Sequence, residues 1–375
     1  MSKLEDFAKK YSGETPVVIL DVDQVEKNYM SMKRGMPTAH IHYAVKSNPN
    51  KQILTRLNEI GCKFDAASVG EIDLLLSIGV DCKNISFGNT IKKRKDIKYA
   101  YEKGIDLFAI DAEEEIEKIA DVAPNSRVFA RMIITTTEAE WPLSRKFGCS
   151  PDHVINILDY AKEKGLNTVG LSFHIGSQTK HPMMWKDTLI SISKLWSSAR
   201  QKGHNLYLLN IGGGFPSYYG IPITDLETYC AQLGSIIDNN FEGVEYLMAE
   251  PGRGLVGDAG IIVSEVVLVS KKHPSDENRW VYLDIGKFSG LSETMEEAIK
   301  YQFIIPEKEN SEKSLCILAG PTCDSADVLY EKNKVSLPID LKAADKFIIK
   351  NTGAYTTTYS AVWFNGFSPL KEIVV

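Results

Sequence analysis

The apolar run IHYAV at residues 41–45 delivers a lysine, Lys46, into the polar turn SNPN. Two readings of that lysine are open. Its stem can lie along apolar surface while the ammonium reaches water, or its amine is a nucleophile presented to a carbonyl compound. Other strand-end residues bear on the choice. SFHIGSQ brings His174, Ser177 and Gln178; NIGGGFP brings Gly212, Gly213 and Gly214; AEPGRG brings Glu250 and Arg253. A triple glycine lets backbone N–H groups approach a phosphate closely, because no Cβ intervenes. Arg253 can add a charged fork for the same anion. Glu250 can pair with a pyridine nitrogen and keep it protonated, His174 can stack on the ring, and Lys46 can form a Schiff base with an aldehyde. The chemistry these residues suggest together is that of pyridoxal phosphate. Each residue also has a plain alternative: a tight turn, a hydrogen-bonded core histidine, an Arg253–Glu250 ion pair.

These residues need elements that bring them to one place. Short β-branched or apolar runs recur from residues 41, 63, 84, 106, 127, 168, 206 and 245, and segments of helical period lie between them. Eight such steps predict a closed (β/α)8 barrel, with an open doubly wound sheet as the alternative; no GxGxxG follows the first strand. In such barrels active groups gather at the C-terminal ends of the strands. Every end here is polar: Lys46; Asp65 and Ser68 with Glu71 beyond; Asn89; Asp111; Arg131; His174; the glycines; Glu250. After residue 260 the pattern changes to strands with little helix between them, which predicts a mostly antiparallel β domain. ETPVVILD near the N-terminus is a candidate to join it. The expected division is residues 22–259 for the barrel, and 1–21 with 260–375 for the β domain.

The bulk numbers exclude several classes. The 375 residues are long for one core, and 43% hydrophobic with 25% charged residues is ordinary for a globular protein. A formal charge of -6 argues against nucleic acid as partner. The dense basic run, Lys92 to Lys95, lies in IKKRKDIKYAYEKG, which reads as one helix with a solvated face. No apolar stretch reaches the roughly 20 residues of a membrane span, and the N-terminus lacks the apolar centre of a signal peptide. The six cysteines are scattered without a CxxC pair, so no metal site is expected and reduced thiols in the cytoplasm are.

At YAVKSNP, FDAASVGEI, SFHIGSQ, NIGGGFP, AEPGRGLV, AGPTCDSAD and GAYTTTYSAVWFNGF the chain resembles the fold-type III pyridoxal-phosphate decarboxylases, in particular the ornithine/lysine decarboxylase branch. The resemblance implies a homodimer with shared active sites at its interface. It also implies that Lys46 holds the cofactor, Glu250 binds its ring nitrogen and His174 stacks on it. Ser177, Gly212 to Gly214, Arg253 and Tyr355 would hold the phosphate, with Asp65, Glu71 and Arg131 around the lysine and ring. The partner subunit would supply the equivalents of Cys323, for the proton at the substrate α-carbon, and Asp324, for the distal amine. Lys146 would pair with Asp327 across the dimer. Glu297 falls where eukaryotic ornithine enzymes place a substrate-binding aspartate, a departure that leaves the pocket length open.

GPTCDSAD also has a reading of its own. Gly-Pro marks a turn, so Cys323 and Asp324 belong on a loop, and an aspartate beside a thiol raises its pKa, which suits a proton donor. WPLSRKFG and ETMEEAIK look like bacterial members, some of which accept both ornithine and lysine. The implied activity is decarboxylation of ornithine to putrescine, in polyamine biosynthesis, with lysine to cadaverine as a second reaction. Alternatives are diaminopimelate decarboxylase, whose loop typically reads Cys-Glu-Ser, a non-catalytic homologue, and a cofactor-carrying racemase.

Overall fold

Strands whose side chains alternate between two buried environments can close into a barrel, one face toward the axis and one toward a ring of helices. The computed structural model, which describes residues 2–134 and 146–375, contains such a barrel. After helix α1 (Lys3–Lys10), strand β1 (Val17–Leu20) and helix α2 (Val22–Gly35) come the barrel strands. These are β2 (His40–Ala44), β3 (Lys63–Ala66), β4 (Ile85–Phe87), β5 (Leu107–Ile110), β6 (Arg127–Arg131), β7 (Asn167–Ser172), β8 (Leu208–Asn210) and β9 (Tyr246–Ala249). All pair in parallel in chain order, and β9 closes on β2. The open doubly wound alternative falls with that closure.

Between the strands lie α3 (Lys51–Glu59), α4 (Val69–Ser77), α5 (Arg94–Glu102), α6 (Glu113–Val122), α7 (Val154–Glu163), α8 (Lys186–Gln201) and α9 (Leu226–Asn240). Capping side chains start several: Asn50 accepts from Gln52 N (3.0 Å), Ser68 from Glu71 N (3.3 Å) and Asp225 from Thr228 N (2.9 Å). The end of α2, ahead of the first barrel strand, packs on α9, where a Cβ on Gly35 would meet the Glu227 carbonyl at 2.3 Å. Within the barrel, Leu107, Ala109, Phe129, Val169 and Leu208 form an apolar plug on the β5–β8 side.

The basic run is a correction. Helix α5 begins at Arg94, and Lys92 lies before it with its side chain fully buried. Its ammonium pairs with Glu115 at 3.1 Å and donates to the carbonyls of Asn89 and Ala109, both at 2.8 Å. Burial pushes it down to about 8, although Glu115 pulls the other way. Lys92 ties the turn after β4 to the end of β5; it is not part of a solvated face.

The second unit is a mostly antiparallel sheet of β12 (Phe303–Ile304), β15 (Lys346–Lys350), β10 (Gly260–Ser270), β11 (Arg279–Leu283), β13 (Lys313–Ala319) and β14 (Val328–Pro338), in that order. β1 adds antiparallel to β10, and β16 (Lys371–Val374) pairs in parallel with β1. ETPVVILD thus joins the β domain, as its composition suggested. Leu4, Ala8, Val17, Ile19, Ile261, Val263 and Ile348 form its core under α1. The units divide as Glu26–Pro216 with Ile223–Leu255, and Met1–Val25 with Ser217–Pro222 and Val256–Val375. The dividing points are four residues from the expected ones at each junction, and a short excursion, Ser217–Pro222, goes to the sheet unit. Among the described residues no helix is long and apolar enough to cross a membrane.

Candidate active site

Lys46 lies in a 3-10 turn, Val45–Ser47, directly after β2; it is exposed while Val45, Ser47 and Asn48 beside it are buried. The turn is fixed from beneath. Tyr43 OH donates to the Asn48 carbonyl (2.9 Å), and Ser47 Oγ lies 2.8 Å from the Ala44 carbonyl and 3.0 Å from the Tyr43 hydroxyl. Ala44 N donates to the Pro251 carbonyl (3.0 Å), which ties the turn to the segment after β9 that carries Glu250. The turn that carries the lysine is therefore fixed through the backbone and side chains of its buried neighbours.

The acidic groups cluster around it. Asp65, on β3, is buried and accepts from Ser86 Oγ at 2.9 Å. Burial, reinforced by the charge of Glu250 and opposed by Lys46, holds its carboxyl well above the ordinary aspartate range. Glu71, in the first turn of α4, accepts from Ala67 N at 2.7 Å, and burial raises its pKa also. Glu250 accepts from Asn210 Nδ2 at 2.5 Å, and the other end of that amide, Oδ1, accepts from Gly212 N at 2.8 Å. Asn210 thus fixes the carboxylate and the glycine turn together. Nothing in a lone asparagine before GGG marked it, although its place at the end of β8, facing the barrel axis, would have done so.

The glycines make a cradle. Gly212 (φ +67) and Gly214 (φ +112) are in the left-handed region, and a Cβ on Gly213 would meet the Glu250 carbonyl at 2.8 Å and His174 Nε2 at 3.1 Å. His174 turns Nδ1 inward to accept from Gly176 N at 3.0 Å. Burial, with the nearby cations Arg131 and Lys46, pushes its imidazole down to about 3, so it is neutral at physiological pH. Arg131 ends β6 with its guanidinium 5.1 Å from the Phe147 ring centre. Arg253 is buried at the start of the short helix Arg253–Val256, and Ser177 is half-buried on the turn after β7.

An amine, a carboxylate, a neutral imidazole, a side-chain-free cradle and a buried arginine are groups that fit a phosphorylated pyridine aldehyde. The donor set matches each of its ends: ring nitrogen, aldehyde and phosphate. The fold and this constellation define a barrel enzyme of pyridoxal phosphate. Residues 22–257 match the family described as "Pyridoxal-dependent decarboxylase, pyridoxal binding domain". The chain is 33% identical to the lysine/ornithine decarboxylase of Selenomonas ruminantium, over 96% of this chain and 89% of that one. The crystal structure of lysine/ornithine decarboxylase from Vibrio vulnificus complexed with cadaverine superimposes with a TM-score of 0.87 at 31% identity, covering 99% of this chain and 97% of that one. SrLDC in complex with PLP and cadaverine gives 0.88 at 31% identity, covering 100% and 94%. The chain belongs to the fold-type III pyridoxal-phosphate-dependent ornithine/lysine decarboxylase family. It is a decarboxylase, and pyridoxal phosphate is its cofactor.

The β unit holds the remaining sequence candidates. Tyr355 has φ +55 and lies 5.7 Å, ring to ring, from Tyr359. Cys323 and Asp324 are exposed on the loop between β13 and β14, as Gly-Pro indicated. Cys323 N donates to Asn365 Oδ1 (2.9 Å), and Asp324 Oδ1 accepts from Ala326 N (2.8 Å).

Two of the expected contact groups are already engaged within their own chain. The Glu297 carboxylate accepts from the backbone N–H groups of Glu331, Lys332 and Asn333 and from Asn333 Nδ2, at 2.6–2.8 Å. Burial opposes its charge, but those donors outweigh it and hold the pKa below the ordinary range. A carboxylate so engaged pins β14 and has little left to offer a substrate amine. Asp327 is 2% exposed, and its carboxylate accepts from Lys287 N (2.7 Å), Thr322 N (3.2 Å) and Thr322 Oγ1 (2.8 Å) of its own chain. It anchors the Cys323 loop through these three donors. Lys146 is exposed, its ammonium 5.0 Å from the Phe147 ring centre; residues 141–145 of WPLSRKFG lie outside the described residues.

Proposed function

We propose that this enzyme decarboxylates a basic amino acid, L-ornithine to putrescine, with L-lysine to cadaverine as a second reaction, and that it serves polyamine biosynthesis. The observation that carries the reading is the exposed Cys323–Asp324 pair on an anchored loop. A thiol and a carboxylate suit a proton to be delivered and an amine to be bound. Support for the substrate class comes from the Vibrio enzyme, whose structures are of complexes with cadaverine and with putrescine.

In this reading Lys46 holds the cofactor, Glu250 faces its ring nitrogen with Asn210 fixing the carboxylate, and His174 stacks on the ring as a neutral group. Gly212, Gly213, Gly214, Arg253, Ser177 and Tyr355 take the phosphate; Asp65, Glu71 and Arg131 set the charge around the amine. Bound there, pyridoxal phosphate supplies the electron sink for the bond that breaks. Cys323 Sγ delivers the proton that replaces the lost carboxylate at the substrate α-carbon, and Asp324 receives the distal ammonium.

We read the working form as a homodimer in which each Cys323 loop serves the partner's site. The exposed Val362 (73%) and Trp363 (64%), close in sequence to the Asn365 that holds that loop, support such an interface. Cytoplasmic residence accords with the scattered, unpaired cysteines.

The test is CO2 release from ornithine, lysine, arginine and diaminopimelate under one set of conditions. Ornithine and lysine should lead, within about 200-fold of each other, since one methylene is worth only about 1–3 kcal/mol of discrimination. Diaminopimelate in first place would overturn the role given to Asp324.

A further inference from the structure

The barrel interior has a second, polar half, of which the decarboxylase reading uses only Asp65. Beside the apolar plug, against which Tyr246 packs, the inward positions of β2, β3, β4 and β9 carry His40, His42, Lys63, Asp65, Ser86 and Tyr246. Four of these side chains line up beneath Asp65. Lys63 Nζ donates to Tyr246 OH at 2.7 Å, and that hydroxyl is 3.0 Å from His42 Nε2. His42 Nδ1 is 3.3 Å from Ser86 Oγ, which donates to Asp65 Oδ1 at 2.9 Å.

We propose that Lys63, Tyr246, His42 and Ser86 form a one-way hydrogen-bond chain along the barrel that sets the proton affinity of Asp65, and that they act as positioning residues for that carboxyl.

Donor and acceptor chemistry fixes the direction. An ammonium only donates, so the Tyr246 oxygen accepts from Lys63 and has its own hydrogen left for His42 Nε2. A neutral imidazole that accepts at Nε2 carries its hydrogen on Nδ1. That N–H faces Ser86 Oγ and the Phe64 carbonyl, an acceptor only. The Phe64 carbonyl is also the competing acceptor for Ser86, at 3.3 Å against 2.9 Å for Asp65. His42 stays neutral because it is buried and because Lys63, His40 and Arg127 face it; its pKa falls to about 3. His40 stacks on the Tyr246 ring at 3.9 Å and 10°, which holds that ring in place. At the other end, Asp65 faces Lys46, Glu250 and Glu71 as well as Ser86. The Ser86 hydrogen bond is a stabiliser of the charged carboxylate that does not come from the cofactor's own ligands.

The experiment uses the cofactor-loaded enzyme and two readouts other than turnover. Histidine 15N NMR, with His42 identified by its loss in His42→Phe, should give the Nδ1–H tautomer from about pH 5 to 9. An Nε2–H tautomer or an imidazolium would overturn the chain. The infrared carbonyl band of protonated Asp65, identified by its loss in Asp65→Asn, gives that group's titration. Ser86→Ala should move it up by about one pH unit, the worth of one hydrogen bond to a charged group. His42→Phe should move it less in the same direction, and the double variant no more than Ser86→Ala alone. A titration unmoved in folded Ser86→Ala, or additive shifts, would reduce these residues to core filling. If His42→Phe does not fold, Tyr246→Phe takes its place, with a shift smaller than that of Ser86→Ala. Neither readout depends on which amino acid is decarboxylated, so a failure here and a failure of the substrate reading are distinguishable.

Discussion

Asp327→Ala separates two roles for one carboxylate. If it anchors its own loop, the loss can be worked from three hydrogen bonds, two of them at 2.7 and 2.8 Å and one at 3.2 Å. Each bond to a buried charge is worth about 1.5–3 kcal/mol. Thr322 gives two of the three, so they do not add fully, and about 3–4 kcal/mol is expected. The site is shaped for the carboxylate: a Cβ on Gly286 or Gly320 would meet its oxygens at 2.2 and 2.3 Å. No larger neutral group replaces it there. For a unit of this size the cost is a fall in Tm of about 10 °C, read by scanning fluorimetry at fixed cofactor concentration. Because the same loop carries Cys323, kcat should fall about 100-fold through misplacement of the thiol. Lys146→Met, by contrast, should leave Tm within about 1 °C. If instead Lys146→Met loosens the dimer as much as Asp327→Ala does while neither lowers Tm, Asp327 is an intersubunit ion-pair partner and the anchoring argument is wrong.

Gly213→Ala should weaken pyridoxal phosphate binding at least about tenfold, since the added carbon presses on the Glu250 carbonyl and His174 Nε2; an absorbance titration of unloaded enzyme measures it, and unchanged affinity refutes the cradle. Asn365→Ala should lower kcat about tenfold with KM and cofactor affinity unchanged, because it releases the Cys323 backbone; a rise in KM alone would argue against it. Stability should fall as pH drops from about 6.5, the unfolded histidine value. His42 and His174 have folded pKa values near 3 and His40 near 4, so between those values and 6.5 the unfolded chain binds more protons than the native one. Urea midpoints from pH 7 to 4.5 should show an uptake of about three protons from these residues, reduced by one in His42→Phe; an unchanged slope in that variant would contradict its burial as a neutral group.

The barrel was legible because its signals are local and repeat. Each strand is a short apolar run, each helix has its period, and Gly212–Gly214 and Lys46 sit at strand ends where one rule predicts chemistry. What escaped needed partners distant in sequence. Asn210 matters only because Glu250 and Gly212 meet at its amide. The centre of β14, Glu331 to Lys334, gives no local strand signal, since it is exposed and polar and reads as a loop. Lys92 looked like a surface lysine because four basic residues in a row suggest solvent, and Glu115, 23 residues away, gave no local sign. Glu297 and Asp327 share a feature the sequence did not show: donors of their own chain, backbone N–H groups among them, already engage each carboxylate, and only geometry reveals it.

The division of the barrel interior follows from what stands above it. A wholly apolar interior would be the cheaper filling, because each buried polar group must keep its hydrogen bonds or lose stability. The polar half accepts that constraint beneath Asp65, on β2, β3 and β4, next to the strand end that presents Lys46. The apolar half, Leu107 to Leu208, runs through β5 to β8. At the top of β8 and β9 the groups are fixed by the Asn210 amide and by backbone. An amine that must exchange protons gains from a neighbour whose charge is set by a fixed chain of donors and not by mobile water; a cradle that only grips a phosphate needs rigidity. The sequence carries that difference in the pairs His40 and His42, Lys63 and Asp65, two residues apart on strands where apolar residues would have sufficed for folding.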